Sequence, residues 1–185
     1  MKGPCKGLRV SLPLLNGPRL TLRPARLGDL DFLADLNSDV DVMKHISGRP
    51  LRRSETEEEW TRRLGPRSAN EKGLGYWVGS LGPREIGWWG LGHSESEPTA
   101  GELGFRIRAE HWRQGLGKEG THVLLDHAFC DFALDRVWAG TVSANTASQR
   151  ALESVGMRQT DEPFPGVLTY EIKRSDWLDR GGRSF

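Results

Sequence analysis

The sequence predicts an α/β fold: one domain with a mixed central sheet and helices on both faces. Three observations predict it. Helix-type periodicity dominates up to Leu64. Short strand-type runs take over from Gly75. From Glu102 a strand, a glycine turn, an amphipathic helix and another strand follow in the order of a βαβ unit, which makes its two strands parallel. A chain of 185 residues, 36% apolar and 28% charged, is long enough for one buried core and has ordinary globular composition.

Residues 1–18 are expected to form a flexible arm. Their early lysines and leucines resemble a leader, but Arg9, Pro13 and Asn16 interrupt the apolar part and no small-x-small site follows. Arg19–Arg26 (RLTLRPAR) sets Leu20 and Leu22 on one face and reads as the first strand, ending at Pro24 or lying at an edge. Asp29 is placed to cap a helix with apolar Leu30, Leu33, Ala34 and Leu36. Residues 37–50 read as a loop or broken helix. Ser54-Glu55-Thr56-Glu57 is a capping box for a second helix, in which Glu58 and Glu59 precede Arg62 and Arg63 by four residues. Trp60 and Leu64 are its apolar contacts, and its charges read as a solvated face.

GYWVGSL, a Gly82-Pro83-Arg84 turn and EIGWWGLG form a hairpin, and ELGFRIR adds a third antiparallel strand. A helix is expected over Lys118–Ala133, a strand over Arg136–Ser143, a helix over Asn145–Val155 stopped by Gly156, and a last strand over Val167–Lys173. RSDWLDRGGRSF reads as a trailing tail. The domain is therefore expected to span residues 19–178, with 179–185 beyond it.

The net charge of +1 gives no support for a nucleic-acid partner. No run approaches the ~20 apolar residues of a membrane span, so no membrane partner is expected. Cys5 and Cys130 make no disulfide framework, and Cys130 reads as a buried free thiol; a reducing, cytoplasmic setting is expected. The five histidines show no paired-ligand spacing, so no metal is expected.

The chemistry concentrates in HWRQGLGKEG, His111 to Gly120. A glycine-bearing turn between a strand end and a helix start presents unpartnered N–H groups and the positive end of a helix dipole, which suits a phosphate or pyrophosphate. Gly115-Leu116-Gly117-Lys118-Glu119-Gly120 matches G-x-G-x-x-G. However, AEHWRQ separates it from the strand, and no acid ends the next strand as a dinucleotide fold requires. A Walker loop fails at Trp112 and at Glu119.

ELGFRIRAEHWRQGLGKEGTHVLLDHAF followed by LDRVWAGTVSANTASQRALESVGM resembles the GNAT family of acetyl-CoA-dependent N-acetyltransferases. Within that family it is similar to the RimJ/RimL-type branch, which includes acetyltransferases of ribosomal-protein N-termini. The likeness runs from about Arg19 to Trp177. The family signature, Gln/Arg-x-x-Gly-x-Gly/Ala, appears as Trp112, common in this branch, then Arg113, Gln114, Gly115, Leu116 and Gly117. The downstream Asn and the Gly-Phe eleven residues on appear as Asn145 and Gly156-Met157.

The resemblance implies the GNAT (acyl-CoA N-acyltransferase) fold, acetyl-CoA as co-substrate, no metal, and an amine acceptor. It implies that the amides of Arg113 to Lys118, beside Trp112, hold the pyrophosphate. The pantetheine arm would pair with Phe105, Arg106, Ile107 and Arg108 like an added strand. The thioester would lie where ELGFRIR and RVWAGTVS part, with an N–H near Phe105 or Arg106 facing the oxyanion. Asn145 would hold the pantetheine arm or cap its helix, and Arg150 is a candidate for the 3′-phosphate.

The attacking amine must be neutral. At pH 7 an α-amine of pKa ~7.7–8 loses its proton for ~1–1.4 kcal/mol, and a lysine of pKa ~10.4 for ~4.6 kcal/mol. Glu102 is the candidate base. Leu152 stands where many family members have a Tyr acid, and Ser148, three residues after Asn145, matches the acid proposed in RimL-like members. The acceptor pocket is expected from residues 37–53, the strand tips and a loop over Thr160–Gly166. Tyr76, Trp77, Trp88, Trp89 and Trp112 belong to the core, with one or two lining the slot, and Asp39, Asp41 and Glu162 read as solvated loop acids, with attraction of a cationic amine as the alternative. A protein N-terminus and a small amine both fit as acceptor, in a monomer or homodimer. Transfer of another acyl group such as succinyl, or binding of acyl-CoA without turnover, are the alternatives.

Overall fold

The predicted hairpin and third strand form as expected and set the frame of the molecule. A computed structural model describes residues 12–65, 73–93 and 97–181. Its strands are β1 (Leu15–Asn16), β2 (Leu20–Pro24), β3 (Gly75–Leu81), β4 (Arg84–His93), β5 (Ala100–Ile107), β6 (Arg136–Val142), β7 (Arg158–Phe164) and β8 (Val167–Lys173). They make one sheet in the order β1-β2-β3-β4-β5-β6-β8-β7. Only β5 and β6 pair in parallel, as the βαβ reading requires.

Alternation along β3–β5 sorts the side chains onto two faces. Trp77, Trp89, Leu91, Leu103 and Ile107 face α4 (Leu116–Asp126), in a core completed by α5 (Thr146–Ser154) and α6 (Arg174–Asp179). Val78 and Trp88 face α1 (Leu30–Ser38), α2 (Val40–Met43) and α3 (Arg53–Leu64), in a second core. The helices thus cover both faces.

Several expectations need correction. The arm expected over residues 1–18 does not extend to 12–18. There Leu12 is buried, Leu15 and Asn16 pair with β2, and the Trp77 indole donates to the Pro13 carbonyl at 2.9 Å. Asp29 is the N-cap of α1, but its side chain makes no bond into that helix; its carboxylate accepts from the Arg26 N–H at 2.8 Å and from Arg23, closing a short 3-10 turn in front of it. The second helix starts before Ser54, with Arg52 as N-cap, because Glu55 reaches back to the Arg52 N–H at 2.8 Å.

The helix after the glycine turn begins at Leu116 and loosens to a π turn over His127–Asp131, ended by Ala133 at φ 55°. Of the loop expected over Thr160–Gly166, only Pro165–Gly166 is a turn. Thr160–Phe164 falls in β7, an edge strand exposed along its whole length, whose lack of apolar alternation hid it from a periodicity reading. RSDWLD is not a tail either: it forms α6, anchored by buried Trp177, whose indole donates to Asp126 at 3.0 Å. Cys130 is a free, half-buried thiol; Cys5 lies outside the described residues.

Candidate functional site

The glycine turn adopts the conformation that presents amides outward. Gly115 is the N-cap of α4 at φ 77°, and Arg113 is also left-handed at φ 59°. For a non-glycine residue that costs of order 1–2 kcal/mol. Two left-handed residues around one position curl the backbone into a concave nest of N–H groups. The first N–H groups of α4, at Leu116, Gly117 and Lys118, add to it, since a helix start leaves them without intrahelical partners. A Cβ on Gly120 would come within 2.3 Å of the buried Trp89 ring, so this glycine lets the helix lie close on the sheet.

Glu119 clamps this helix to the start of β2. Its side chain is only 6% exposed. One oxygen accepts from the backbone N–H of Arg19 and Leu20 at 2.7 and 2.8 Å; the other accepts from the Arg19 guanidinium at 2.7 Å. Arg19 in turn donates to the Gln114 carbonyl in the turn at 3.0 Å. The residue that broke the Walker pattern is therefore a structural carboxylate, and its burial is what sequence reasoning missed.

Beside the turn the sheet splits. β5 and β6 pair only over Ala100–Glu102 and Arg136–Trp138, and from Leu103 onward β5 has no partner on that side. Such a parted edge can accept an extended, amide-rich chain. The edge thus begins two residues before Phe105, and its far end is partly taken up. The Trp112 indole donates to the Ile107 carbonyl at 2.8 Å, and the Arg108 N–H donates to Ile86.

Glu102 is the last paired residue of β5, opposite Trp138 at the vertex of the fork. It is exposed, yet the groups crowding it desolvate its carboxyl and push it above the usual carboxylate range, while the Arg63 guanidinium pulls it down. Its side chain shares the α1–α3 face with Arg106 and with Tyr76 and Trp88 of the neighbouring strands. Burial likewise raises the Tyr76 phenol, with Arg63 opposing and Glu102 and Glu59 adding to the rise.

Sequence reasoning left the charged residues of α3 in solvent, and here the structure differs most. Glu59, Trp60 and Arg63 turn inward. Glu59 meets Arg106 at 3.0 and 3.1 Å and Arg63 at 2.8 Å, and Asn37 bonds to Arg106 at 2.9 Å and to Glu59 at 3.3 Å. Trp60, Tyr76 and Trp88 stack edge to face around them. The available signal was the i, i+3, i+4 spacing of Thr56, Glu59, Trp60 and Arg63, which puts them on one helix face.

The other predicted residues are placed as follows. Phe105 faces α4, stacked on Trp89, whereas the Arg106 side chain is buried on the opposite face, so only its backbone borders the fork. Arg108 pairs with Asp35 at 2.6 Å. Arg113, Gln114 and Lys118 are exposed in the turn, Leu116 is buried beneath it, and Gly117 lies over Phe105. Trp112 is 43% exposed. Asn145 caps α5, its side chain accepting from the Ser148 N–H at 3.1 Å. Ser148 is half-buried, and its hydroxyl makes no hydrogen bond among the described residues. Arg150 is exposed. Asp39 is taken up as the N-cap of α2, and Glu162 accepts from the Gly166 N–H at 2.7 Å. Among the described residues no group of three or more His, Cys, Asp or Glu is arranged to hold a metal, and no helix is long and apolar enough to cross a membrane.

Comparison with known proteins agrees with this architecture. The family model described as an acetyltransferase (GNAT) domain matches residues 19–158. The FsC-acetyl coenzyme A-N(2)-transacetylase of Aspergillus fumigatus is 30% identical, the match covering 90% of this chain and 78% of that protein. A GNAT-family acetyltransferase of Bacillus anthracis superposes with a TM-score of 0.75 at 21% identity, covering 88% of this chain and 99% of that one. The spermidine N-acetyltransferase of Vibrio cholerae, in complex with CoA and spermine, superposes with a TM-score of 0.72 at 22% identity, covering 86% and 98%.

Proposed function

Because the chain belongs to the GNAT acetyltransferase family, as an acetyl-CoA-dependent N-acetyltransferase, we propose that it acts on a primary amine by direct attack at the β5–β6 fork. The observation that carries this reading is the layout along one strand edge: β5 loses its β6 partner after Glu102, whose carboxyl is pushed above its ordinary range, and the nest of amides at residues 113–118 lies further along, with Gly117 over Phe105. The nest and the α4 N-terminus hold the coenzyme pyrophosphate. The unpaired edge of β5 from Leu103 to Arg106 takes the pantetheine amides. Gly117 leaves room there, since even an added Cβ would reach Phe105 no closer than 3.4 Å.

In the reaction the amine lone pair forms the C–N bond at the thioester carbon. Glu102 takes the amine proton, directly or through water. An amide N–H near Phe105 or Arg106 stabilises the oxyanion. Collapse breaks the C–S bond, and the Ser148 hydroxyl, uncommitted among the described residues, gives its proton to the leaving thiolate and regains one through water as Glu102 releases the amine proton. Asn145 keeps Ser148 in place through the cap on α5 rather than acting on substrate. Arg150 remains the proposed contact for the 3′-phosphate.

The placement in the RimJ/RimL-like branch, and a cytoplasmic setting, belong to the same proposal; Trp112 in the first signature position and Ser148 three residues after Asn145 support the branch. Protein N-termini and small amines both remain acceptors of this chemistry, and the Aspergillus transacetylase and the Vibrio spermidine N-acetyltransferase are named for different acceptors. A thiol-release assay with acetyl-CoA and succinyl-CoA across peptides and small amines tests the reading. Release with acetyl-CoA in the presence of an amine is expected. Coenzyme binding without release for any amine would instead favour a non-catalytic acyl-CoA-binding protein.

A further inference from the structure

The aromatic cluster facing α3 is more than core packing. Trp60, Tyr76 and Trp88 stand with ring centroids 5.5, 5.5 and 5.9 Å apart, all near edge-to-face. Three rings arranged around one point form an ordinary trap for an organic cation, because each face is electron-rich. This trap is already filled. The Arg63 guanidinium lies 5.5 Å from the Trp60 centroid, 4.8 Å from Tyr76 and 4.7 Å from Trp88. Arg106 lies 5.2 Å from Trp88.

The cations at the trap are tied to carboxylates on the same face, Arg63 to Glu59 and, through its field, to Glu102. Arg63 and Arg106 both lean on one carboxylate, Glu59, whose oxygens also take the Asn37 amide. Two cations share one anion, on the same face as Glu102. A guanidinium carries five donors in a planar fork suited to a carboxylate, and the oxygens of Glu59 are divided among three partners. Between the rings and Glu102 the paired strands carry Gly92 and Gly104, whereas Gly90 lies beneath the Tyr76 ring. A Cβ on Gly92 or Gly104 would meet nothing closer than 3.7 Å. The indole N–H groups of Trp60 and Trp88 are buried without a hydrogen-bond partner among the described residues.

We propose that Arg63, by filling the Trp60–Tyr76–Trp88 cage, sets the acceptor class of this site: a primary amine bearing a carboxylate on a short tether, with polyamines excluded. This rests on the amine-transferase reading above. The amine end reaches Glu102 at the fork, and the carboxylate end meets the Arg63 fork. A polyamine would have to place its second ammonium beside a fixed guanidinium, in rings that are already occupied.

The test uses alanine and 4-aminobutanoate, each beside its own amide, together with putrescine and spermidine. Thiol release is measured for the native protein, Arg63→Met and Arg63→Lys. For at least one pair, the native protein is expected to favour the carboxylate over its amide by about tenfold or more in kcat/KM, as a charge-assisted bidentate pair would. Putrescine and spermidine stay near background. Arg63→Met abolishes the carboxylate preference and admits the polyamines, while Arg63→Lys keeps a reduced preference because an ammonium cannot pair bidentately. Acetyl-CoA affinity and the unfolding midpoint report whether each variant is folded. Equal turnover of spermidine and the carboxylate amines by the native protein, or an Arg63→Met variant with unchanged ratios, overturns the inference and leaves the transferase reading intact. If no amine releases thiol while acetyl-CoA binds, the transferase reading fails. Binding of the same six amines to the coenzyme-loaded protein then decides the role of Arg63: affinity for the carboxylates that Arg63→Met leaves unchanged, or no affinity for them, overturns it.

Discussion

On one side of the fork, residues 113–118 offer backbone amides from a single stretch of chain, held by one buried carboxylate at Glu119. On the other side, Asn37, Glu59, Trp60, Arg63, Tyr76, Trp88 and Arg106 arrive from α1, α3, β3, β4 and β5 and act through their side chains. The first side is local and tolerant of side-chain identity, except where a glycine or the clamp is concerned. The second is assembled over long sequence separations and depends on every partner. A shared coenzyme requires the first kind of site, because the same pyrophosphate must be met each time. A particular acceptor is better met by the second, where one substitution on α3 changes the charge of the pocket without disturbing the coenzyme turn.

The largest expected effect breaks this division. Glu119→Ala should cost about 3–5 kcal/mol in denaturant unfolding, because it strands two backbone N–H groups and the Arg19 charge. It should also weaken acetyl-CoA binding, since Arg19 holds the Gln114 carbonyl. A variant with native stability would show that the coenzyme side does not depend on this clamp.

Glu102→Gln tests the vertex where the two sides meet. A general base contributes roughly 10²–10⁴-fold, so kcat should fall by about a hundredfold or more, with acetyl-CoA affinity unchanged. The sign of the pH effect follows from the raised carboxyl. The base works deprotonated, so the native rate falls as pH drops through a value above the ordinary carboxylate range. In Glu102→Gln that acid limb disappears, and a profile that keeps it would take Glu102 out of the role. Arg63→Met should shift the same limb further upward, because it removes the charge that lowers Glu102.

Gly117→Asp sharpens the comparison on the coenzyme side alone. A carboxylate at the pyrophosphate turn should weaken acetyl-CoA binding about tenfold, or ~1.4 kcal/mol, in calorimetry, while the preference among amines stays as it was. A changed amine preference would mean that the two sides are coupled through the fork.

How much of this was legible depended on distance along the chain. The hairpin, the βαβ unit and the glycine turn were readable because alternation, helical period and turn chemistry are properties of neighbours in sequence. Edge strand β7 was missed because a strand exposed on both faces carries no apolar alternation. Helix α6 was missed because Trp177 and its bond to Asp126 hold it from outside. The charges of α3 were read as solvated because a charged residue buried against another charged residue looks the same in sequence as one in water.

By itself the sequence determined the class of fold and the glycine turn, since each rests on backbone geometry that local residues impose; the candidate base at Glu102 came from the family resemblance instead. Only the tertiary structure decided where β5 and β6 part, that Glu119 serves as a clamp, and that Arg63 fills an aromatic cage. Those depend on which distant side chains exclude water together, and burial is a property of the assembled chain rather than of any segment.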